Sequence, residues 1–247
     1  MSTPMTDSAA TPTVVLVHGA FSDASSWAGV IAELQSDGVP VVAPPNPLRS
    51  LPGDAAYIAG RVKQIDGPVL LVGHSYGGAV IMVAGAAAGN VVGLVYVAAF
   101  ILDEGESLAE IIARFPDTPL SQVLRPNSFP VGGTGETAVE LSIAPEAFPT
   151  VFAADSPPDA AAVAAVSQRP IAASAFEDKA SAAACRTLPS WAIVAGGDEA
   201  IHPDAERFMA ERAGAQTIEI LGSHAVMVSQ PAGVAEHIRA AVRGVTA

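Results

Sequence analysis

Residues that would direct a protein to nucleic acids, to a membrane or to a disulfide-linked fold are scarce in this sequence. Its 247 residues include a single cysteine, Cys185, and only two lysines, Lys63 and Lys179. One cysteine excludes an internal disulfide. The net charge of −13 argues against nucleic acids and anionic membrane surfaces as partners. No run of about 18 large apolar residues without glycine or charge occurs, so we expect no transmembrane helix and no membrane partner.

The amino-terminal residues lack the features of a targeting signal. Residues 1–12 are small, polar and interrupted by proline, and they contain neither a basic segment nor an apolar run. We therefore predict a flexible tail over residues 1–12 and no secretory signal. The single cysteine leaves the redox compartment open, and the cytoplasm is the default location. The sequence does not indicate an oligomeric state.

Apolar residues are abundant, and they occur in two alternating patterns. Half of the residues are apolar, which is enough for one large core. Short segments rich in Val, Ile and Leu alternate with segments of helical periodicity. This alternation predicts an α/β fold with a mostly parallel six-stranded sheet and helices on both faces. Asp54 is predicted to cap the helix before the third strand. The predicted strands are residues 13–17, 39–43, 69–72, 91–100, 191–195 and 217–221.

The alternation lapses between Leu102 and Arg186. This stretch contains short helical pieces that are rich in proline and alanine. We predict that residues 103–185 form a helical lid, inserted into an α/β core of residues 13–102 and 186–247. An insertion at the carboxyl end of a sheet strand would lie above a site at that edge.

Residues 69–80 predict a nucleophile elbow. Four apolar residues precede the pattern Gly73-x-Ser75-x-Gly77, and a helical pattern follows it. A serine at the tip of such a sharp turn has a strained backbone, and side chains two residues away on either side would collide. The turn would also direct the amide of Tyr76 toward a developing oxyanion.

A serine hydroxyl becomes a good nucleophile only when an adjacent base takes its proton. His224 follows the last predicted strand, at the edge of the sheet where Ser75 also lies, and it is the predicted base. His202 directly precedes a proline and is interpreted as the entry to a helix. His237 falls in the middle of a helix and is interpreted as a flanking or surface residue.

The carboxylate that orients the base should also follow the end of a strand. Asp198 does so, after an apolar strand and a Gly-Gly turn, and it is the predicted acid. Glu199 and Asp204 are adjacent rivals, and Asp103 follows a different strand. Asp198, His202 and Asp204 would alternatively form a metal site. One histidine among carboxylates is a weak ligand set, so we predict neither a metal nor a cofactor.

Four segments carry motifs that resemble those of α/β-hydrolases: HGAF at 18–21, GHSYGG at 73–78, GDEAIHP at 197–203 and SHAVMVSQP at 223–231. More narrowly, they resemble small bacterial esterases related to the plant methylesterase and hydroxynitrile lyase group. The resemblance covers most of residues 13–243. It implies an α/β-hydrolase fold, a triad of Ser75, Asp198 and His224, and an oxyanion hole formed by the backbone amides of Ala20 and Tyr76.

The predicted function is the cleavage of carboxylic esters or lactones through an acyl-enzyme, with a small-molecule ester as the partner. Lyases of the resembled group carry a lysine shortly after the histidine, whereas Ala225, Val226 and Met227 stand here, which disfavours a lyase. Two alternatives stay open: a ligand-binding receptor with little turnover, and a lyase or cofactor-independent oxygenase on the same fold. Apolar residues suggest a substrate pocket, formed by Phe21, Ile111, Phe115, Leu124, Phe148 and Phe152.

Overall fold

Strands and helices alternate through the first part of the chain. The computed structural model describes residues 10–133 and 135–246, so residues 1–9 of the predicted tail lie outside the described residues. A short 3₁₀ turn, Ala24–Trp27, precedes the first helix. The elements of this part are β1 (Thr13–Val17), α1 (Ala28–Ser36), β2 (Val41–Val42), α2 (Leu51–Val62), β3 (Val69–Ser75), α3 (Tyr76–Ala87) and β4 (Val91–Ala99).

The insertion that follows β4 contains strands as well as helices. Its elements are α4 (Leu108–Ile112), α5 (Leu120–Val123), β5 (Leu124–Val131), β6 (Glu136–Ile143), α6 (Phe148–Val151), α7 (Pro158–Ser167) and β7 (Ile171–Ala172).

The three strands of the insertion form a separate antiparallel sheet in the order β5-β6-β7. The expectation of a purely helical insertion was therefore incomplete. Gly132, Gly133 and Gly135 all have positive φ, which lets the chain reverse between β5 and β6. Pro126 and Pro130 are compatible with β5 because it is an edge strand, where a missing N–H breaks no ladder.

After the insertion the chain returns to the alternation of strand and helix. The last part consists of β8 (Ser190–Ala195), α8 (Pro203–Arg212), β9 (Gln216–Ile220), α9 (Val226–Ser229) and α10 (Pro231–Thr246). Among the described residues, no helix combines the length and apolar character needed to cross a membrane.

The main sheet has six strands in the order β2-β1-β3-β4-β8-β9, and every neighbouring pair is parallel. This confirms the predicted sheet. All seven residues of β3 are buried. Alternate side chains pack into two different apolar clusters, one on each face of the sheet. Val69 and Leu71 pack with α2, α3 and α8, whereas Leu70 and Val72 pack with α1 and α10. Helices thus cover both faces, and the carboxyl ends of all six strands meet at one edge.

The start of α2 differs from the prediction. Ser50, not Asp54, is the N-cap, and its hydroxyl accepts the Gly53 amide at 3.2 Å. Asp54 lies one turn further into the helix and is buried. Its carboxylate accepts the Arg49 amide and the hydroxyl of Tyr76. The helix therefore begins earlier than the sequence pattern indicated, and Asp54 connects it to the elbow.

Candidate active site

Ser75 lies at the junction of β3 and α3 in a strained backbone conformation. Its φ of 54° and ψ of −125° fall in a region that residues other than glycine rarely adopt. The flanking glycines are sterically required. A Cβ on Gly73 would come within 2.5 Å of the Gly77 carbonyl oxygen, and a Cβ on Gly77 within 2.5 Å of the Val17 carbonyl oxygen. The turn thus closes tightly against its own helix and against β1.

The loop after β1 approaches Ser75 from the side. A Cβ on Gly19 would lie 2.6 Å from the Ser75 Cβ. The amide of Phe21 donates to the Arg169 carbonyl at 3.0 Å. The amide of Ala20 forms no hydrogen bond with any described residue, and that of Tyr76 opens α3 and so has no acceptor within the helix. Both amides are therefore free to donate to a ligand.

His18 holds this loop in place. Its Nδ1–H donates to the Gly19 carbonyl, and its Nε2 accepts the Asn46 amide, both at 2.9 Å. The Asn46 side chain returns a hydrogen bond to the His18 carbonyl at 3.0 Å. Burial lowers the pKa of His18 to about 4, so the ring is neutral at pH 7. His18 has a structural role here, and Asn46 is a partner that sequence patterns did not reveal.

His224 and Asp198 form a hydrogen-bonded pair at the carboxyl edge of the sheet. His224 Nδ1 donates to Asp198 Oδ2 at 2.5 Å, and both side chains are almost fully buried. Asp198 Oδ1 accepts the amides of Ala200 and Ile201 at 2.6 and 2.9 Å. Because these bonds fix both oxygens of the carboxylate, the imidazole is held with its Nε2 directed away from Asp198.

Two rings surround the imidazole of His224. The His74 ring lies 4.7 Å away and that of Phe152 lies 4.8 Å away, measured between centroids. His74 Nε2–H donates to the His224 carbonyl at 2.9 Å, and burial lowers the pKa of His74 well below its usual value. Since Ser75 follows His74 directly, this contact brings the elbow and the His224 loop together. Among the described residues, no hydrogen bond joins the Ser75 hydroxyl to His224.

The insertion anchors the loop that carries His224. The Ala225 amide donates to the Phe152 carbonyl at 2.9 Å. Asp155 accepts the hydroxyl of Ser223, and that of Ser229 at 2.9 Å. Sequence reasoning assigned no function to Asp155. The serines on either side of the predicted base are a sequence feature that could have indicated a carboxylate partner for this loop.

The rival residues lie elsewhere. His202 is the N-cap of α8, and its Nδ1 accepts the Asp204 amide at 3.2 Å. His237 is buried between α10 and β9 and donates to the Gln216 carbonyl at 3.1 Å. The carboxylate of Asp103 is partly exposed and pairs with Arg186. Within residues 10–133 and 135–246, no group of three or more His, Cys, Asp or Glu is arranged to hold a metal ion.

A cavity of about 460 Å³ adjoins this site. Phe21, Phe148 and Phe152 line it, as predicted for the pocket, and so does Ala225, next to His224. Neither Ser75 nor His224 is part of the lining. The remaining wall comes mainly from the 3₁₀ turn before α1 and from α7. It consists of Ser22, Asp23, Ser25, Ser26, Ala153, Ser156, Asp159, Ala160, Ala161, Val163, Ala164, Ser167, Gln168, Met227 and Val228.

The other three residues predicted for the pocket lie away from this cavity. Ile111 is fully buried in the core, because α4 packs its apolar face inward. Phe115 packs beside Phe208, with ring centroids 5.8 Å apart. Leu124 begins β5 and packs against the core. Apolar character alone did not distinguish core residues from cavity residues.

A parallel sheet whose central strand ends in a strained serine between two glycines is the architecture of a hydrolase. The sequence model of the Alpha/beta hydrolase family matches residues 14–237. The chain therefore belongs to the alpha/beta hydrolase family. A comparison of the sequence with curated proteins found no match.

Several solved structures are similar in fold. Polyneuridine aldehyde esterase is 20% identical with a TM-score of 0.80, and the match covers 96% of this chain and 100% of that chain. A pyrethroid hydrolase from Sphingobium faniae is 21% identical with a TM-score of 0.76, covering 94% and 97%. A methylesterase from Arabidopsis is 17% identical with a TM-score of 0.73, covering 94% and 99%. These likenesses extend over nearly the whole chain and agree with the fold.

Proposed function

We propose that the protein is a serine hydrolase that cleaves carboxylic esters or lactones through an acyl-enzyme. The observation that carries this proposal is the hydrogen-bonded pair of His224 and Asp198 at the sheet edge where the elbow presents Ser75. A nucleophile, a base and an orienting carboxylate on neighbouring strand ends are the requirements of acyl transfer. The family and its esterase-like neighbours agree with this chemistry.

In the proposed first step, the Ser75 hydroxyl attacks the ester carbonyl while His224 Nε2 takes its proton. The carbonyl oxygen becomes an oxyanion, which accepts hydrogen bonds from the amides of Ala20 and Tyr76. When this intermediate collapses, His224 returns the proton to the departing alcohol and the acyl group stays on Ser75. Asp198 stabilises the imidazolium throughout without taking the proton.

In the second step, water gives a proton to His224 and attacks the acyl carbonyl. Collapse of the second tetrahedral intermediate releases the carboxylic acid and returns the proton to Ser75. We expect the Ser75 hydroxyl and His224 Nε2 to come within hydrogen-bonding distance when substrate binds, because catalytic hydrogen bonds often tighten only in the substrate complex. Neutral His18 and His74 would take no part in proton transfer.

The cavity beside His224 favours the binding of an uncharged, apolar group of the substrate. Its wall is mainly apolar, and its acidic residues are Asp23 and Asp159. A carboxylate on the substrate would be repelled by these two groups and by the net charge of −13. We therefore expect neutral esters with a bulky apolar acyl or alcohol group to be better substrates than anionic ones.

The function is tested with p-nitrophenyl esters. We expect many turnovers per protein molecule, together with labelling of Ser75 by a fluorophosphonate. Ser75→Ala should fold normally and lose about four to six orders of magnitude in kcat. If pure wild-type protein binds the ester without releasing nitrophenol, it is a binding protein. If Ser75→Ala keeps a tenth of the activity, Ser75 is not the nucleophile.

The cavity is tested separately with a matched pair on α7. Ala164 lines the cavity, whereas Ala162 is exposed and does not. Ala164→Phe should raise KM for long-chain esters about tenfold, while leaving hydrolysis of the acetate nearly unchanged. Ala162→Phe should change neither. An equal effect of Ala164→Phe on short and long esters would show that the apolar group binds elsewhere.

A further inference from the structure

Glu206 is a buried carboxyl group that the proposed mechanism does not use. It lies in the first turn of α8 and is 3% exposed. Its Oε2 accepts the Ala195 amide at 3.0 Å, whereas its buried Oε1 receives no hydrogen bond from an N–H or O–H group of the described residues. Asp198 binds the same residue, because its amide donates to the Ala195 carbonyl at 3.2 Å, and Asp198 is the side chain that most raises the pKa of Glu206. Two ionised carboxylates buried so near one another repel each other, so we expect the pair to hold a proton.

The hydrogen bonds indicate which carboxyl group carries that proton. Asp198 accepts three N–H groups, from the amides of Ala200 and Ile201 and from the His224 ring. Glu206 accepts only one. Each N–H bond favours the ionised form of its acceptor, so the negative charge belongs on Asp198 and the proton on Glu206. Burial, followed by the charge of Asp198, raises the pKa of Glu206 well above its usual value.

The other charged groups around Glu206 leave this assignment unchanged. Arg207 is the neighbouring cation and acts to lower the pKa of Glu206. Its guanidinium lies at the surface, where it binds Asp204 at 2.6 Å and Glu219 at 2.7 Å. Asp204 and Glu219 therefore largely neutralise the charge of Arg207, so this charge has little effect on the buried carboxyl group of Glu206.

We propose that Glu206 is a positioning residue, whose neutral carboxyl group donates a hydrogen bond to Asp198 and so holds that carboxylate against His224. The chain of contacts then runs from Ala195 at the end of β8 through Glu206 and Asp198 to the imidazole. With the proton on Glu206, the two carboxyl groups together carry one negative charge. The catalytic effect of Glu206 rests on the proposed function, whereas the presence of a proton on the Glu206–Asp198 pair does not depend on it.

The protonation state is tested first, without any assay of activity. Infrared difference spectra between the wild type and Glu206→Gln at pH 7 should contain the carbonyl band of a neutral carboxylic acid, present only in the wild type. The matched control is Glu211, an exposed glutamate on the same helix, and Glu211→Gln should remove no such band. Absence of the band from the wild type would overturn the proposal, whether or not the protein is an esterase.

Kinetics then test the positioning role with two variants. Gln donates an N–H to Asp198 and accepts the Ala195 amide, so Glu206→Gln should keep kcat within about threefold. Glu206→Met has a similar size but no donor, and should lower kcat about 10- to 100-fold with KM changed less than about twofold. Without the donor, Asp198 favours the imidazolium more strongly, so the acid limb of kcat/KM should move up by about half a pH unit or more.

A merely structural role predicts a different result. It would lower the folded fraction in Glu206→Met without moving the acid limb of kcat/KM. An unmoved limb in folded Glu206→Met, or an equal loss of kcat in the Gln and Met variants, would overturn the proposal. If Glu206→Met does not fold, the infrared band and the activity of Glu206→Gln still decide it.

Discussion

The hydroxyl of Tyr76 donates a hydrogen bond to Asp54 Oδ2 over 2.7 Å, and both side chains are buried. Tyr76 directly follows Ser75 and opens α3, whereas Asp54 lies in the first turn of α2. The bond thus ties the turn that carries Ser75 to a neighbouring helix. It holds the residue whose amide is proposed to bind the oxyanion.

Removal of this bond should destabilise the protein. Tyr76→Phe leaves a buried carboxyl group with one donor fewer, and we expect the free energy of unfolding to fall by about 1–3 kcal/mol. Tyr57→Phe on α2 is the control, because Tyr57 is 40% exposed, and it should change the free energy by less than about 0.5 kcal/mol. Urea unfolding of both variants measures the difference. Equal stabilities would mean that the Tyr76–Asp54 bond contributes nothing.

The close approach of Gly77 to β1 gives a second prediction. Gly77→Ala would put a methyl group 2.5 Å from the Val17 carbonyl oxygen, and backbone at the centre of a sheet moves little. We expect a loss of about 3 kcal/mol or failure to fold. Gly60→Ala, also in a helix but with open space around it, should instead stabilise the protein by about 0.5–1 kcal/mol. Thermal unfolding distinguishes the two, and a stable, fully active Gly77→Ala would contradict the steric requirement.

The choice between two aspartates gives a third prediction. Asp198 binds the His224 ring, whereas Asp103 pairs with Arg186. Asp198→Asn should lower kcat by about four orders of magnitude, because the amide no longer holds the imidazole in the required tautomer. Asp103→Asn should stay within about tenfold of the wild type. The reverse ranking, measured on folded proteins, would move the acid to Asp103.

Buried neutral histidines should make stability depend on pH. The pKa of His18 is lowered to about 4, so the folded protein binds this proton less tightly than the unfolded chain does. Its contribution to stability is complete above the unfolded pKa of about 6.5. It is lost as the pH falls through about 4.

Across this interval, His18 alone should cost the wild type about 3 kcal/mol of unfolding free energy. The check is urea unfolding of the wild type and His18→Gln at several pH values between 7 and 4. The variant should be less stable at pH 7, and the gap should narrow as the pH falls. A gap that stays constant would show that His18 does not titrate with a lowered pKa.

Much of the core could be predicted because its signals are local. The strand over 13–17 and the buried strand before Ser75 are visible as short runs of apolar residues, and the structure confirms both. The insertion was harder. Strand β5 is mostly exposed and most of β6 is exposed or half-buried, so their sequences lack a continuous apolar run, and we predicted no hairpin there.

The sequence by itself determined the elbow, since Gly73, Ser75 and Gly77 must meet within five residues and their spacing records that constraint. It also determined that Asp198 and His224 each follow the end of a strand. Because parallel strands bring those ends to one edge of the sheet, the two residues were expected to lie close together. Tertiary structure alone decided that Glu206 is buried against the Ala195 amide and that Asp54 faces Tyr76. A carboxyl group on a helix has the same local pattern whether it faces water or a buried partner. Its partner depends on how the helix packs against the sheet, which only the assembled core specifies.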